Sequence, residues 1–168
     1  MPKALRALLD NAQDVEHLMK GRACGFISAC RSENSPKENE RNTNQLRQTL
    51  ESRGHKVVPV KGGFIENKGT PQEKHVDGED SFFVGHKHQG NDGGRVYRDL
   101  IDLGKRYKQE SIIHKPHDSD VASFHGTKKG ADPDIGQYQV AGKAHWDKEA
   151  EGAEYYTKTQ NGRQFTFK

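Results

Sequence analysis

Apolar residues are scarce in this chain. They make up 30% of its 168 residues, no more than the charged residues at 30%, which is lean for a globular protein and close to the composition at which ordering fails. A large continuous core is excluded; a small one bordered by long polar loops is expected. No apolar run approaches the roughly 20 residues of a membrane-spanning helix. The opening Met1-Pro2-Lys3-Ala4-Leu5-Arg6 lacks the apolar stretch and cleavage site of a secretory signal. Together these absences predict a soluble intracellular protein.

Cysteine is nearly absent as well. Cys24 and Cys30 match neither a redox pair nor a zinc knuckle in spacing, and on an extended strand they lie about 20 Å apart, beyond a disulfide's reach. Both read as small buried thiols in a reducing compartment. Nor does one sign of charge dominate: 27 basic and 24 acidic residues give +3, interspersed, without the tail or stripe of a dedicated nucleic-acid binder. Also missing are a Walker lysine loop, a dinucleotide glycine fingerprint and a nucleophile elbow, so no cofactor is expected.

What is present is organised around residues 24–59. The run Cys24-Gly25-Phe26-Ile27-Ser28-Ala29-Cys30 reads as a strand. Ser35-Pro36 then signals a helix start, because Ser caps free amides and proline suits the first turn. That helix runs to about residue 53 with only Leu46 and Leu50 as an apolar stripe; Gly54 ends it and a second strand covers 55–60. Ahead of this unit, Leu5, Leu8, Leu9, Ala12, Val15, Leu18 and Met19 recur at threes and fours, an amphipathic helical segment expected to pack on the sheet.

Beyond it, the glycine-rich passage 61–79 reads as a loop with a short strand at 63–66, and Ser81–Gly85 as a strand. Val96, Tyr97, Leu100, Ile101, Leu103 and Tyr107 mark a helix over 94–108. Strands follow at 111–114, 121–125 and 137–141, and Asn161-Gly162 joins a last hairpin over 155–167. Helices confined to the first two-thirds and strands crowding the last third predict an α+β fold: one central mixed sheet with helices packed on it and an antiparallel C-terminal part. The expected organisation is an N-terminal helical segment, 1–22, and a single mixed α/β domain, 23–168.

Ligands in α/β sheets bind beyond the carboxyl ends of parallel strands. That places Arg31, Ser32, Asn34 and Asn39, with Asn42, at the mouth of a binding site; a solvated loop with a helix cap is the plainer alternative. Glu66, Glu79 and Asp80 flank the third strand, as acid–base groups or as ordinary surface charges. Gln109-Glu110-Ser111 reaches the same end of the sheet if the strands are parallel. An enzyme built here would use Glu79, Gln109 and Ser111 as catalytic residues.

Histidines at 86, 88, 114, 117 and 125 invite a metal reading, but no third ligand falls at a standard interval, and no metal is expected. His125-Gly126-Thr127 matches half of a two-histidine phosphoesterase signature; its only partner, His117-Asp118-Ser119, is too close in sequence to face it across a cleft. Phe82-Phe83 and Phe165/Phe167 could stack bases, yet so lean a chain needs them in its core.

Phe26-Ile27-Ser28-Ala29, Glu38-Asn39, Leu46, Leu50, Gly54, Gly63-Phe64, Glu79-Asp80-Ser81-Phe82 and Gln109-Glu110-Ser111 together resemble a family of small α/β proteins of tailed phages and some bacteria, without a settled activity. The resemblance spans most of 25–125, and the closing Arg163–Phe167 is similar to the family's end. It implies a phage origin and one compact domain, and supplies no catalytic residues. The start also resembles a Toll/interleukin-receptor domain, but the later element order departs from it.

The resulting expectation is a non-enzymatic phage protein, virion-associated or a host-directed binding module, contacting viral or host proteins in the host cytoplasm or virion and not a membrane. The alternatives are a small enzyme acting on a nucleotide or nucleic-acid phosphate or glycosidic bond, and a weak nucleic-acid binder.

Overall fold

A computed structural model describes residues 15–66, 70–127, 139–141, 144–147, 155–158 and 164–167. Its centre consists of β1 (Cys24–Ser28), α1 (Pro36–Ser52), β2 (Lys56–Glu66), β3 (Lys74–Gly85), α2 (Arg95–Arg106) and β4 (Ser111–Lys115). The four strands lie in the order β4-β1-β3-β2, the split β-α-β arrangement of ferredoxin-like folds. β5 (Ser123–Gly126) and β6 (Gln139–Ala141) extend the sheet beyond β4, and β8 (Tyr155–Lys158), β9 (Gln164–Phe167) and β7 (Ala144–Asp147) extend it beyond β2. The fold is α+β, as its pattern of elements predicts. Residues 3–14, the 128–138 passage and the Asn161-Gly162 turn lie outside the described residues.

Every ladder among the described strands is antiparallel. β1 and β2 run the same way, but β3 separates them, pairing Phe83 with Phe26 on one side and with Val58 on the other. The crossover through α1 leaves a gap of one strand, and the β2–β3 hairpin fills it. The passage 61–79, expected as a loop, is mostly ladder: β2 continues to Glu66 and β3 starts at Lys74, with a register shift between Gly62 and Phe64. Backbone pairing needs no apolar side chains, so a polar, glycine-rich stretch can continue a strand and its glycines mark a bulge.

α1 starts as its sequence dictates: Ser35 is extended, its hydroxyl accepts the Glu38 amide at 3.2 Å, and Pro36 is the first helical residue. α2 is capped by Asp92, whose carboxylate accepts the amides of Gly94 (2.9 Å) and Val96 (2.8 Å). Partial burial raises the Asp92 pKa, but the Val96 and Gly94 amides outweigh it and hold the group below its ordinary value. Asp99, within α2, ties that helix to the C-terminal end of α1, bonding Arg53 (2.9 Å) and the buried His55 (2.5 Å), while Arg53 also reaches Asp102 (3.0 Å).

The few apolar residues form two thin layers, one on each face of the sheet, through the period-two alternation of the strands. Ile27, Phe82, Val84 and Ile112 meet Leu46 and Leu50 of α1 and Val96, Leu100 and Leu103 of α2. On the other face Cys24, Phe26, Val58, Val60 and Phe83 pack beneath Val15, Leu18 and Met19, so the described part of the N-terminal segment lies on the sheet. Arg22 secures it, donating to the carbonyls of Leu18 (3.0 Å) and His86 (2.5 Å). Burial pushes the Cys24 thiol up to about 12, against the opposing charges of Lys115 and Arg22; as a thiol it is unreactive. Both described cysteines are free.

Candidate functional site

β1 ends at Ser28, opposite Ser81 of β3, and polar groups from five parts of the chain gather around that end. The Ser28 hydroxyl faces the Asp80 carbonyl (2.9 Å) and the Glu79 carboxylate (3.3 Å), and accepts the Cys30 amide at 3.0 Å. Asp80 pairs with Lys61, its neighbour across the β2–β3 ladder. The half-buried Cys30 thiol lies 3.6 Å from the Thr43 hydroxyl of α1. Asn39, also on α1, accepts the Arg31 amide at 2.9 Å and donates to the Arg31 carbonyl at 3.0 Å. Gln109 donates to the carbonyls of Cys30 (3.1 Å) and Tyr107 (3.2 Å), and the buried Thr127 hydroxyl donates to the Gln109 carbonyl at 2.5 Å.

Arg31, Asn39, Glu79, Asp80 and Gln109 are thus brought together. The expectation that parallel strands would align them is corrected: β4 is antiparallel to β1, and for that reason its beginning meets the end of β1. Ser32 is exposed in the turn that follows, and Asn34 donates its amide to the Arg31 carbonyl at 3.1 Å. Asn42 is half-buried on α1. Ser111 opens β4 opposite Gly126, in the ladder. Glu66 lies further out along the hairpin, opposite Lys74. Sequence reasoning passed over Ser28, Thr43 and Lys61, and met Thr127 only in the discarded His125-Gly126-Thr127 signature. Ser28 carried a signal, being the polar residue that interrupts an apolar strand; Lys61 carried one only through the hairpin register.

Chemically, the cluster offers two carboxylates, a hydroxyl and amides, and the Arg31 side chain on the same turn is 26% exposed with its guanidinium 3.4 Å from Glu33. Carboxylates suit a cation, and a guanidinium fork suits a carboxylate. By contrast, the shallow groove of about 320 Å³ between Lys37, Arg41, Asn44 and Gln48 is lined by the outer face of α1 alone, opposite the stripe that carries Asn39, Leu46 and Leu50.

The histidines gather elsewhere. The rings of His114 and His125 stand 6.1 Å apart, each edge-to-face with Tyr97 at 5.3 and 5.0 Å. His86 and His88 form a separate pair at 5.9 Å. Among the described residues no three His, Cys, Asp or Glu side chains come together as metal ligands. Buried His114 has an Nε2 with no hydrogen-bond partner among them. Burial first, then the charge of His125, lowers its pKa to about 4 from 6.5.

A base whose folded pKa is depressed is neutral in the folded state while the unfolded chain takes up a proton. Stability is therefore expected to be full above pH 6.5, to fall between 6.5 and 4 by up to about 3 kcal/mol at ~1.4 kcal/mol per unit, and to level off below that for this group. Urea midpoints across that range should show the slope, and His114→Phe should remove most of it.

The model of the S-adenosylmethionine lyase family matches residues 25–168. No curated protein matches the chain. The family match corrects the resemblance to a family of unsettled activity, and with it the expectation of a non-enzymatic, virion-associated or host-directed binding protein. Short motifs such as Phe26-Ile27-Ser28-Ala29 and Gly63-Phe64 report strands and turns, which many chemistries share; the polar groups converge only in three dimensions.

Proposed function

We propose, because this chain belongs to the S-adenosylmethionine lyase family, that it is an enzyme breaking a carbon–sulfur bond of S-adenosylmethionine. A carbon–sulfur bond thus takes the place of the phosphate or glycosidic bond expected of an enzyme from the sequence. The support for this reading is the extent of the match: residues 25–168 take in every side chain of the cluster from Ser28 to Thr127.

A lyase adds no water across the bond, so such a site must bind and orient its substrate and keep water away. The electron pair of the broken bond goes to sulfur, and the cationic sulfonium leaves as a neutral thioether on the nucleoside. As that bond breaks, the four-carbon arm closes on its own carboxylate, whose oxygen displaces the sulfur, or gives up a proton from the adjacent carbon to form a double bond. In this reading Glu79, oriented by Ser28, is the anion beside the sulfonium and the acceptor of any proton released. Arg31 meets the substrate carboxylate, and Gln109 holds the turn between them. Ser111, whose backbone is in the ladder opposite Gly126, is assigned no role in this reading.

Purified protein incubated with S-adenosylmethionine should release a thioether nucleoside, with an equimolar four-carbon amino acid product lacking the elements of water. Chromatography with mass detection reads both. Substrate that stays intact, or homoserine as the primary product, would rule the reading out.

A further inference from the structure

We infer that Asn39 is a positioning residue that sets Arg31 for the carboxylate end of the substrate; this rests on the lyase reading above. Four successive backbone groups where the chain leaves β1 are satisfied by side chains. The Cys30 amide is held by Ser28 (3.0 Å), the Cys30 carbonyl by Gln109 (3.1 Å), and the Arg31 amide and carbonyl both by Asn39 (2.9 and 3.0 Å). The Asn39 amide makes the same two-point contact that a neighbouring strand would make, at a place where the ladder has stopped.

The fold does not require this. A turn at the surface can have its backbone groups satisfied by water at little cost. Three side chains, from β1, α1 and the lead-in to β4, instead hold one turn in one geometry, which is what a binding group needs from its supports. The group so held is Arg31. Its carboxylate neighbour, Glu33, lies 3.4 Å away with 67% of its side chain exposed. An ion pair that open is weak and yields readily to a ligand carboxylate that the guanidinium grips with two parallel bonds. S-adenosylmethionine has one carboxylate, on the same arm as the sulfonium. Ser28, at the other end of the turn, bonds Glu79, so the turn carries a guanidinium at one end and a carboxylate at the other, matching the two charges of that arm.

The test uses Asn39→Ala, Arg31→Ala and the double variant of the full chain. It measures kcat and KM for S-adenosylmethionine, and the inhibition constant of its decarboxylated analogue as a competitor. Asn39→Ala is expected to raise KM roughly tenfold, in the range for a charge-assisted contact, to change kcat less, and to leave the analogue's inhibition constant within about twofold, because the analogue has nothing for Arg31 to hold. The double variant should be no worse than Arg31→Ala alone. Equal weakening of both ligands, additive effects, or an unchanged KM would overturn the inference. Should Asn39→Ala fail to fold, Asn39→Asp, which keeps the acceptor and loses the donor, is judged by the same criteria. Wild-type protein that neither binds nor cleaves S-adenosylmethionine removes the lyase reading and this inference together; active wild type matched by Asn39→Ala removes the inference alone.

Discussion

Glu79→Gln is expected to lower kcat/KM for S-adenosylmethionine by about a hundredfold or more, the scale of losing one charged group at a reacting centre, with little change in melting temperature. The amide has the carboxylate's shape and still accepts from Ser28 Oγ, 3.3 Å away in the native chain, so the turn stays supported. Only the charge is lost. Which constant moves separates the two routes for the four-carbon arm. A carboxylate that takes a proton in the transition state shows its loss in kcat; one that holds the sulfonium cation in the bound state shows it in KM. A Glu79→Gln enzyme with wild-type kinetics would remove Glu79 from the site.

Gly25→Ala is expected to cost about 3 kcal/mol or more, at or beyond the upper end for overpacked cores. A Cβ on Gly25 would lie 2.0 Å from the Ile113 carbonyl and 2.6 Å from Leu100 Cδ1. The carbonyl belongs to β4, which pairs with β1 along this stretch, and Leu100 is a fully buried residue of α2. Neither neighbour can withdraw without parting β1 from β4 or lifting α2 off the sheet. Gly78→Ala provides the contrast. A Cβ on Gly78 would meet no atom within 4 Å, but the φ of 74° there is strained for any side chain, so the cost should stay near about 1 kcal/mol. Urea midpoints of the two variants measure the difference, and a Gly25→Ala protein as stable as Gly78→Ala would show that neither the Ile113 carbonyl nor Leu100 confines β1 at this point.

Both predictions concern contacts between residues distant in sequence, and the same division runs through the fold. Local signals located the elements well. Ser35-Pro36 started α1 and Gly54 followed its end, and the spacing from Val96 to Tyr107 traced α2. Where local chemistry was ambiguous, reasoning from the chain alone went astray. The passage 61–79 looked like a loop because it is polar and rich in glycine, yet the ladder continues through Gly62 and only shifts register. β7, Ala144–Asp147, went unforeseen because four residues are too few to show an alternating pattern.

For the site, residue type was legible and partnership was not. Arg31, Asn39, Glu79 and Gln109 stand out as polar groups at element ends, a property of position along the chain. That Asn39 grips Arg31 depends on how the start of α1 folds back on the end of β1, and that Ser28 meets Glu79 depends on the insertion of β3 next to β1.

The amino-acid sequence by itself determined the α+β class, the helix limits and the smallness of the core, because capping and periodicity act over a few residues and composition limits what can be buried. The tertiary structure alone decided the strand order β4-β1-β3-β2 and the meeting of five parts of the chain at the end of β1. Those depend on antiparallel pairing between stretches about fifty to ninety residues apart; backbone hydrogen bonds are the same for every residue type, so the choice of partner falls to side-chain burial across the whole sheet, which no short stretch reveals.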